Sequence, residues 1–263
     1  MSRREGWFSG RRPFVALGAV LFVYICYPFV AFLWRLDGVE TASATDPELL
    51  SAVRYSLTTA PVATALATVF GVPLAYVLAR SSFRGKAVVE ALVIVPLVLP
   101  PVVAGLLLLT GFGSLTPVGS LARSVGIRLT DSYVGIVLAQ TFVSSPFVVV
   151  TARSGFAGVD DRLEEAARSL GSSPVETFWN VSLPLARTSI LAGIVLTFAR
   201  AVGEFGATMM VAYHPHTMPV QIWRTFGSRG LDATVPLVVL LGAIGFAVVF
   251  ALHALGRTPT LTK

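Results

Sequence analysis

Charge is scarce in this chain of 263 residues. Asp, Glu, Lys and Arg make up 13% of it, against 54% hydrophobic residues and a mean hydropathy of +0.76. A soluble globular domain carries about a quarter charged residues, so that class is excluded. Cysteine is all but missing. The lone Cys26 permits no internal disulfide and carries no redox information. There is no G-x-x-x-x-G-K-[ST], so the chain cannot itself cradle nucleotide phosphates. The absence of H-E-x-x-H and G-x-S-x-G argues against a membrane protease or lipase, and no internal repeat is evident.

Long apolar runs are what the chain has in plenty. Six segments reach the roughly 20 residues that a bilayer core requires: Phe14–Leu36, Val53–Ala79, Val88–Gly111, Tyr133–Ala152, Thr188–Ala212 and Val235–Leu255. The expectation is an all-α polytopic protein of the cell membrane, multi-pass in the lipid bilayer, with six transmembrane helices and a single domain over residues 1–263. The basic N-terminus and Ala42-Ser43-Ala44 imitate a signal peptide and its cleavage site, but the run is too long for an h-region, so an uncleaved first span is expected.

A net charge of +6 could suggest nucleic acid, yet the placement of the charge says otherwise. Arg3, Arg4, Arg11, Arg12, Arg80, Arg84, Lys86, Arg153, Arg162, Arg168, Arg187, Arg257 and Lys263 all fall on one side of the expected membrane. The other side's loops hold Arg123, Arg128, Arg224 and Arg229, with Arg35 and Arg54 at span edges and acidic Asp37, Glu40, Asp46 and Glu48 in the first loop. The positive-inside rule puts both termini in the cytoplasm, together with the loop around Glu165.

Two spans carry features that plain hydrophobicity does not explain. The third contains Pro96, Pro100 and Pro101, which break backbone hydrogen bonds. Two readings stand open, a packing kink or a broken helix beside a pathway. The fifth has small residues at Ala199, Gly203 and Ala207, and a polar stripe at Thr197, Arg200, Glu204 and Thr208. Arg200 lies about 18 Å past Thr188 along a helix, near the middle of the bilayer. A charge there costs ~2.5–3.5 kcal/mol on insertion scales. Arg200 and Glu204 either neutralise each other at i,i+4 or face an aqueous route for an anion. Residues 112–132 read as a Gly/Ser-rich outer loop. His214 and His216, with no nearby Cys or acidic cluster, read as solvated loop residues, so no metal and no cofactor is expected.

The polar exception is the segment at about residues 158–185. Asp160 or Asp161 opens a short helix with Leu163, Ala166, Ala167 and Leu170 on one face, and Gly171 stops it. Ser173-Pro174-Val175-Glu176 reads as a capping box that starts a second helix, and Pro184 is expected to reset the backbone before the fifth span.

The spacing of Glu165, Ala166, Ala167, Gly171, Val181, Leu183 and Pro184 resembles the EAA loop of ABC-importer permeases, with Val181 where that family usually has Ile. Phe198 to Thr208 resembles the fifth-span signature of permeases for molybdate, tungstate and sulfate, and the Pro-rich third span and Val211-Ala212-Tyr213-His214-Pro215 resemble the molybdate and tungstate members. The resemblance covers nearly the whole chain and implies a type I importer permease fold. It also implies that the Glu165 loop docks on a separate ATPase. Two such ATPase subunits, a second copy of this chain and an extracytoplasmic oxyanion-binding protein are the implied partners. The chain would then be a transport subunit and not an enzyme. Molybdate or tungstate is the implied cargo, with sulfate or thiosulfate as the alternative. An anion channel and an intramembrane enzyme are the rival classes, and neither needs a capped cytoplasmic knob. Because the chain ends seven residues after Gly256, any feedback by internal oxyanion is expected to reside in the ATPase.

Overall fold

The computed structural model describes residues 12–35 and 46–256, which are helical with no strand. The N-terminal arginines Arg3, Arg4 and Arg11, the loop residues Asp37, Glu40 and Ala42-Ser43-Ala44, and Arg257 and Lys263 lie outside the described residues.

The helices are α1 (Arg12–Leu33), α2 (Pro47–Arg80), α3 (Lys86–Val98), α4 (Pro101–Phe112), α5 (Pro117–Ser124), α6 (Tyr133–Ala157), α7 (Asp161–Ser169), α8 (Pro174–Thr177), α9 (Leu183–Val202), α10 (Gly206–Val211), α11 (Met218–Arg229) and α12 (Val235–Gly256). Their starts follow local chemistry. Asp46 accepts from the Glu48 N–H ahead of Pro47, and Ser132 accepts from the Gly135 N–H. The centre of the bundle is α6, packed against α2 and α9, with α3, α4 and α10 against its flanks. By contrast, α1 meets the rest of the chain chiefly through Phe29 against Phe246 of α12.

Among the described residues four helices are each long and apolar enough to cross a bilayer, Pro13–Leu33, Pro47–Arg80, Tyr133–Ala157 and Pro174–Val202, and the bent pair Pro101–Phe112 with Pro117–Ser124 meets the same measure together. Several expectations are corrected here. The expected third span is two helices. The chain leaves α3 at Val98, runs extended through Leu99 and Pro100, and re-enters a helix at Pro101. A proline disfavours the helical region for the residue before it, and at the consecutive pair Pro100-Pro101 two such restrictions fall together where the chain takes an extended step of two residues. This is a break and not a kink. Residues 112–132 are not simply loop either, since Thr116 caps α5 with Pro117 in the first turn.

The fifth span also departs from a single helix. Pro184 does not reset the backbone: α8 passes through a π-turn, Phe178–Ser182, directly into α9. The wider turn tolerates the missing proline N–H and the bulk of its ring within one continuous helix. At the far end, α9 stops at Val202 and α10 starts at Gly206. Thr197, Arg200, Glu204 and Thr208 therefore do not form one helical stripe, and Ala199, Gly203 and Ala207 do not form a continuous small-residue stripe.

Ion pairs gather at the two ends of the bundle. Arg80, Glu90, Arg153, Asp161 and Glu164 sit at one end; Arg35, Asp46, Glu48, Arg224, Arg229 and Asp232 sit at the other. Among the described residues, only Arg200–Glu204 pairs between them.

Candidate functional site

Two polar features stand out of the apolar bundle. The first is the segment from Gly158 to Leu185. Asp160 caps α7 by accepting from the Arg162 N–H. The helix closes on a Schellman turn, in which the Ser172 N–H donates to the Ala167 carbonyl and the Gly171 N–H to the Arg168 carbonyl. Gly171 has φ of +95°, in the region where a side chain is strained, as its position after Leu170 predicts. The capping box is present: the Glu176 N–H donates to Ser173 Oγ at 3.2 Å and the Ser173 N–H to Glu176 Oε2 at 2.7 Å. The Ser173 backbone N–H, and after it the Ser173 side chain, hold the Glu176 carboxyl below its ordinary value.

The face that α7 buries is not the apolar one. Leu163, Ala166 and Leu170 are exposed, Leu170 at 88%, while Glu164 is 4% exposed. Val175 and Trp179 are exposed on the following turns. Glu165 also points outward, and Ala167 is half-buried. Val181 and Leu183 are half-buried, with Pro184 exposed. Sequence reading singled out Glu165 and missed Glu164. The missed signal is periodicity, because Glu164 lies on the side of α7 opposite Leu163, Ala166 and Leu170.

The second feature surrounds the two breaks. Glu204, 1% exposed, pairs with Arg200, and its Oε1 accepts the Ala207 N–H at 2.7 Å. A continuous helix would give that N–H to the Gly203 carbonyl, so the carboxylate takes a bond from the helix and starts α10. Arg200 is partly exposed, as its side-chain accessibility of 27% shows. Thr197 and Thr208 are fully buried, and their hydroxyls have no partner among the described residues. Pro96 is buried within α3, whereas Pro100 and Pro101 are exposed at the third-span break. The two breaks touch: a Cβ on Gly206 would meet Pro101 Cβ at 2.7 Å, and one on Gly105 would meet the Ala207 Cα at 3.0 Å. Only glycine admits backbones this close.

Gln140 was not anticipated. It is fully buried on α6, and neither amide atom has a partner among the described residues. Gly155 lies near Ser189, Gly193 near Val148 and Gly135 near Ala212. This antiparallel register places Gln140 level with residues 201–207, the stretch in which the main chain leaves helical bonding. A lone Gln in an apolar run is a legible signal of this kind.

At the other end of the bundle, burial pushes the His216 imidazole below its ordinary value, and its Nδ1 lies 2.7 Å from the Tyr213 carbonyl. Among the described residues, no group of three His, Cys, Asp or Glu side chains is placed to hold a metal ion.

Comparison with known proteins agrees with this architecture. Residues 71–258 match the family described as binding-protein-dependent transport system inner membrane component. The chain is 50% identical to a probable molybdenum ABC transporter permease protein of Haloferax volcanii, over 92% of this chain and 89% of that one. It is 43% identical to the molybdate/tungstate transport system permease protein WtpB of Thermococcus kodakarensis, over 89% and 91% of the two chains. Among solved structures, a chain of a bacterial alginate ABC transporter, in complex with a periplasmic protein carrying an alginate pentasaccharide, superposes with a TM-score of 0.76. That match covers 99% of each chain at 15% identity, so it speaks to fold alone.

Proposed function

The chain belongs to the binding-protein-dependent inner membrane components, the permease subunits of ABC importers, and from that premise we propose that its cargo is a tetrahedral oxyanion, molybdate or tungstate. As a multi-pass membrane protein of that family it is a transport subunit, with ATP hydrolysis left to a partner. The names of the relatives support the cargo. The apolar face that α7 turns away from its own chain carries the docking part of the reading.

In this proposal residues 158–185 are the coupling segment. Glu165, Ala166, Ala167 and Gly171 form the part that enters an ATPase cleft; Val181, Leu183 and Pro184 carry the segment into the fifth span. Two copies of the chain form the route, with six spans each and both termini cytoplasmic. Two ATPase subunits sit below, and an extracytoplasmic binding protein delivers the anion. Moving a dianion through hydrocarbon is prohibitive, so the route is hydrated and gated in alternation. The broken third and fifth spans fit such a route, because irregular backbone at membrane depth is tolerated where protein or water satisfies it. Arg200, Pro100 and Pro101 are the groups offered to the pathway, with Glu204, Thr197, Thr208 and Pro96 behind them.

Reconstituting the permease with its ATPase tests the reading. ATP hydrolysis should be stimulated by binding protein loaded with molybdate or tungstate, and radiolabelled molybdate should accumulate only with ATP. Flux without ATP would make the protein a channel. Stimulation by sulfate-loaded binding protein alone would move the cargo to sulfate.

A further inference from the structure

The helix that faces the ATPase in this proposal is held to its own subunit by charge and not by apolar packing. The nine residues of α7 turn Leu163 outward and bury Glu164, and the C-cap Leu170 is exposed as well. Oε1 of that carboxylate accepts from Arg80 Nε at 2.9 Å and from Ser182 Oγ at 2.7 Å, and Oε2 lies 3.5 Å from the Tyr76 hydroxyl. Arg80 commits its two remaining nitrogens to the same place, Nη1 to Asp161 at 2.6 Å and Nη2 to the Val159 carbonyl at 2.9 Å. One guanidinium thus holds the linker before α7, the first residue of α7 and its one buried residue. Only arginine presents donors in a fork of that shape.

The partners lie on separate elements. Arg80 ends α2 and Tyr76 is one turn earlier, whereas Ser182 closes the π-turn. The coupling segment continues covalently into α6 on one side and α9 on the other, but α2 lies some 80 residues away in sequence. It is reached from α7 by these polar contacts and from the π-turn by Phe178, whose ring stands edge-on to Tyr76 at 4.9 Å. A buried ion pair adds little net stability over apolar packing of the same shape, so its gain lies in fixing one geometry.

We infer that Glu164 and Arg80 are positioning residues that latch the coupling segment to α2, so that a displacement of α7 by the ATPase reaches α2 and α9 together. This inference rests on the reading of residues 158–185 as the docking element. Without the latch, α7 would still bind the ATPase through its outward face, and α9 would still follow through the continuous helix. The π-turn would still rest on Tyr76 through Phe178, but α7 would slip against α2, and hydrolysis would part from transport.

The test uses the whole complex in nanodiscs with a Cys26→Ser background. Spin labels go at Ser169→Cys, exposed but off the Leu163/Ala166/Leu170 face, with Phe70→Cys on α2, and at Ser169→Cys with Leu191→Cys on α9. In the otherwise wild-type complex, trapping with ATP should leave both distances unchanged. A shift of the 70–169 distance there, with 169–191 constant, would overturn the latch whatever any variant does. With Glu164→Gln, and separately Arg80→Gln, the 70–169 distance should broaden or shift on ATP trapping while 169–191 holds. The same variants should co-purify with the ATPase, hydrolyse ATP, and move about tenfold less molybdate per ATP. An unchanged ratio of molybdate to ATP would overturn the inference, as would loss of ATPase binding, which would mark a purely structural role. The distance readout requires no oxyanion. Failure of the wild-type complex to take up molybdate would therefore defeat the cargo proposal and leave the latch standing.

Discussion

Glu164 and Glu204 are both buried carboxylates with an arginine beside them, and their partners are distributed in opposite ways. Glu164 joins residues 84, 88 and 18 positions away in sequence. Glu204 reaches four residues back to Arg200 and three forward to the Ala207 N–H. The first fastens separate elements and leaves each helix intact. The second bends its own chain, ending one helix and starting another. Burial and pairing alone do not distinguish a brace from a joint; the sequence separation of the partners does.

The largest effect should follow removal of the joint's carboxylate. Glu204→Ala leaves Arg200 uncompensated and the Ala207 N–H bare, a loss of about 3–5 kcal/mol on the scale of broken buried pairs. Thermal unfolding in detergent should register it as a large drop in midpoint. Exchanging the two residues would not isolate the charges, because arginine has no acceptor for the Ala207 N–H. The double variant Arg200→Gln, Glu204→Gln keeps an acceptor at 204 and removes both charges. Near-normal folding with poor molybdate uptake would give Arg200 a pathway role. Near-normal uptake would reduce the pair to mutual neutralisation.

A smaller effect is expected at the brace's end of the molecule. Gly171→Val places a β-branched residue at φ +95° with open space around it, so the penalty is one of backbone alone, about 1–2 kcal/mol. Insertion and global stability should be near normal, while pull-down of the ATPase falls. Retained pull-down and uptake would argue against this loop as the docking element.

The smallest effect concerns the capping box. Ser173→Ala should cost about 1 kcal/mol locally, seen as faster amide exchange across residues 175–177. The Glu176 carboxyl is held below its ordinary value, so the box should persist above the usual carboxylate range. It should be lost only as pH falls through that lowered value, so exchange protection at the Ser173 N–H should be flat from neutral pH to about pH 5. Loss of protection within that window would mean that the Ser173 N–H does not stabilise the charged form.

Much of the local structure of residues 158–185 was legible because caps and turns are written in neighbouring residues. Asp160, Gly171, Ser173 and Glu176 all do what their types and offsets predict. The extended step at Leu99–Pro100 was legible as disruption, since two consecutive prolines leave the backbone little choice. The fifth-span break was not. Ala199 to Thr208 lacks proline and reads as helix, and what decides against it is one side chain outcompeting one carbonyl. Gly203 and Gly206 on either side of Glu204 were the available hint. Arg80 could not be picked out by any local rule. It looked like one more positive-inside residue, and its role depends on a helix folded some 80 residues downstream.

The crossing of the two broken spans has a thermodynamic consequence of its own. Pro101, Gly105, Gly206 and Ala207 meet there through backbone and Cβ atoms, with the Met210 Cβ also against Gly105. Pro, Gly and Ala side chains lose essentially no rotamer entropy on burial. The junction is therefore ordered with little of the side-chain entropy that most packed interfaces give up, and among these contacts Met210 is the one long side chain. In a saturation mutagenesis screen, Gly105 and Gly206 should be as intolerant as catalytic residues, although neither carries a functional group.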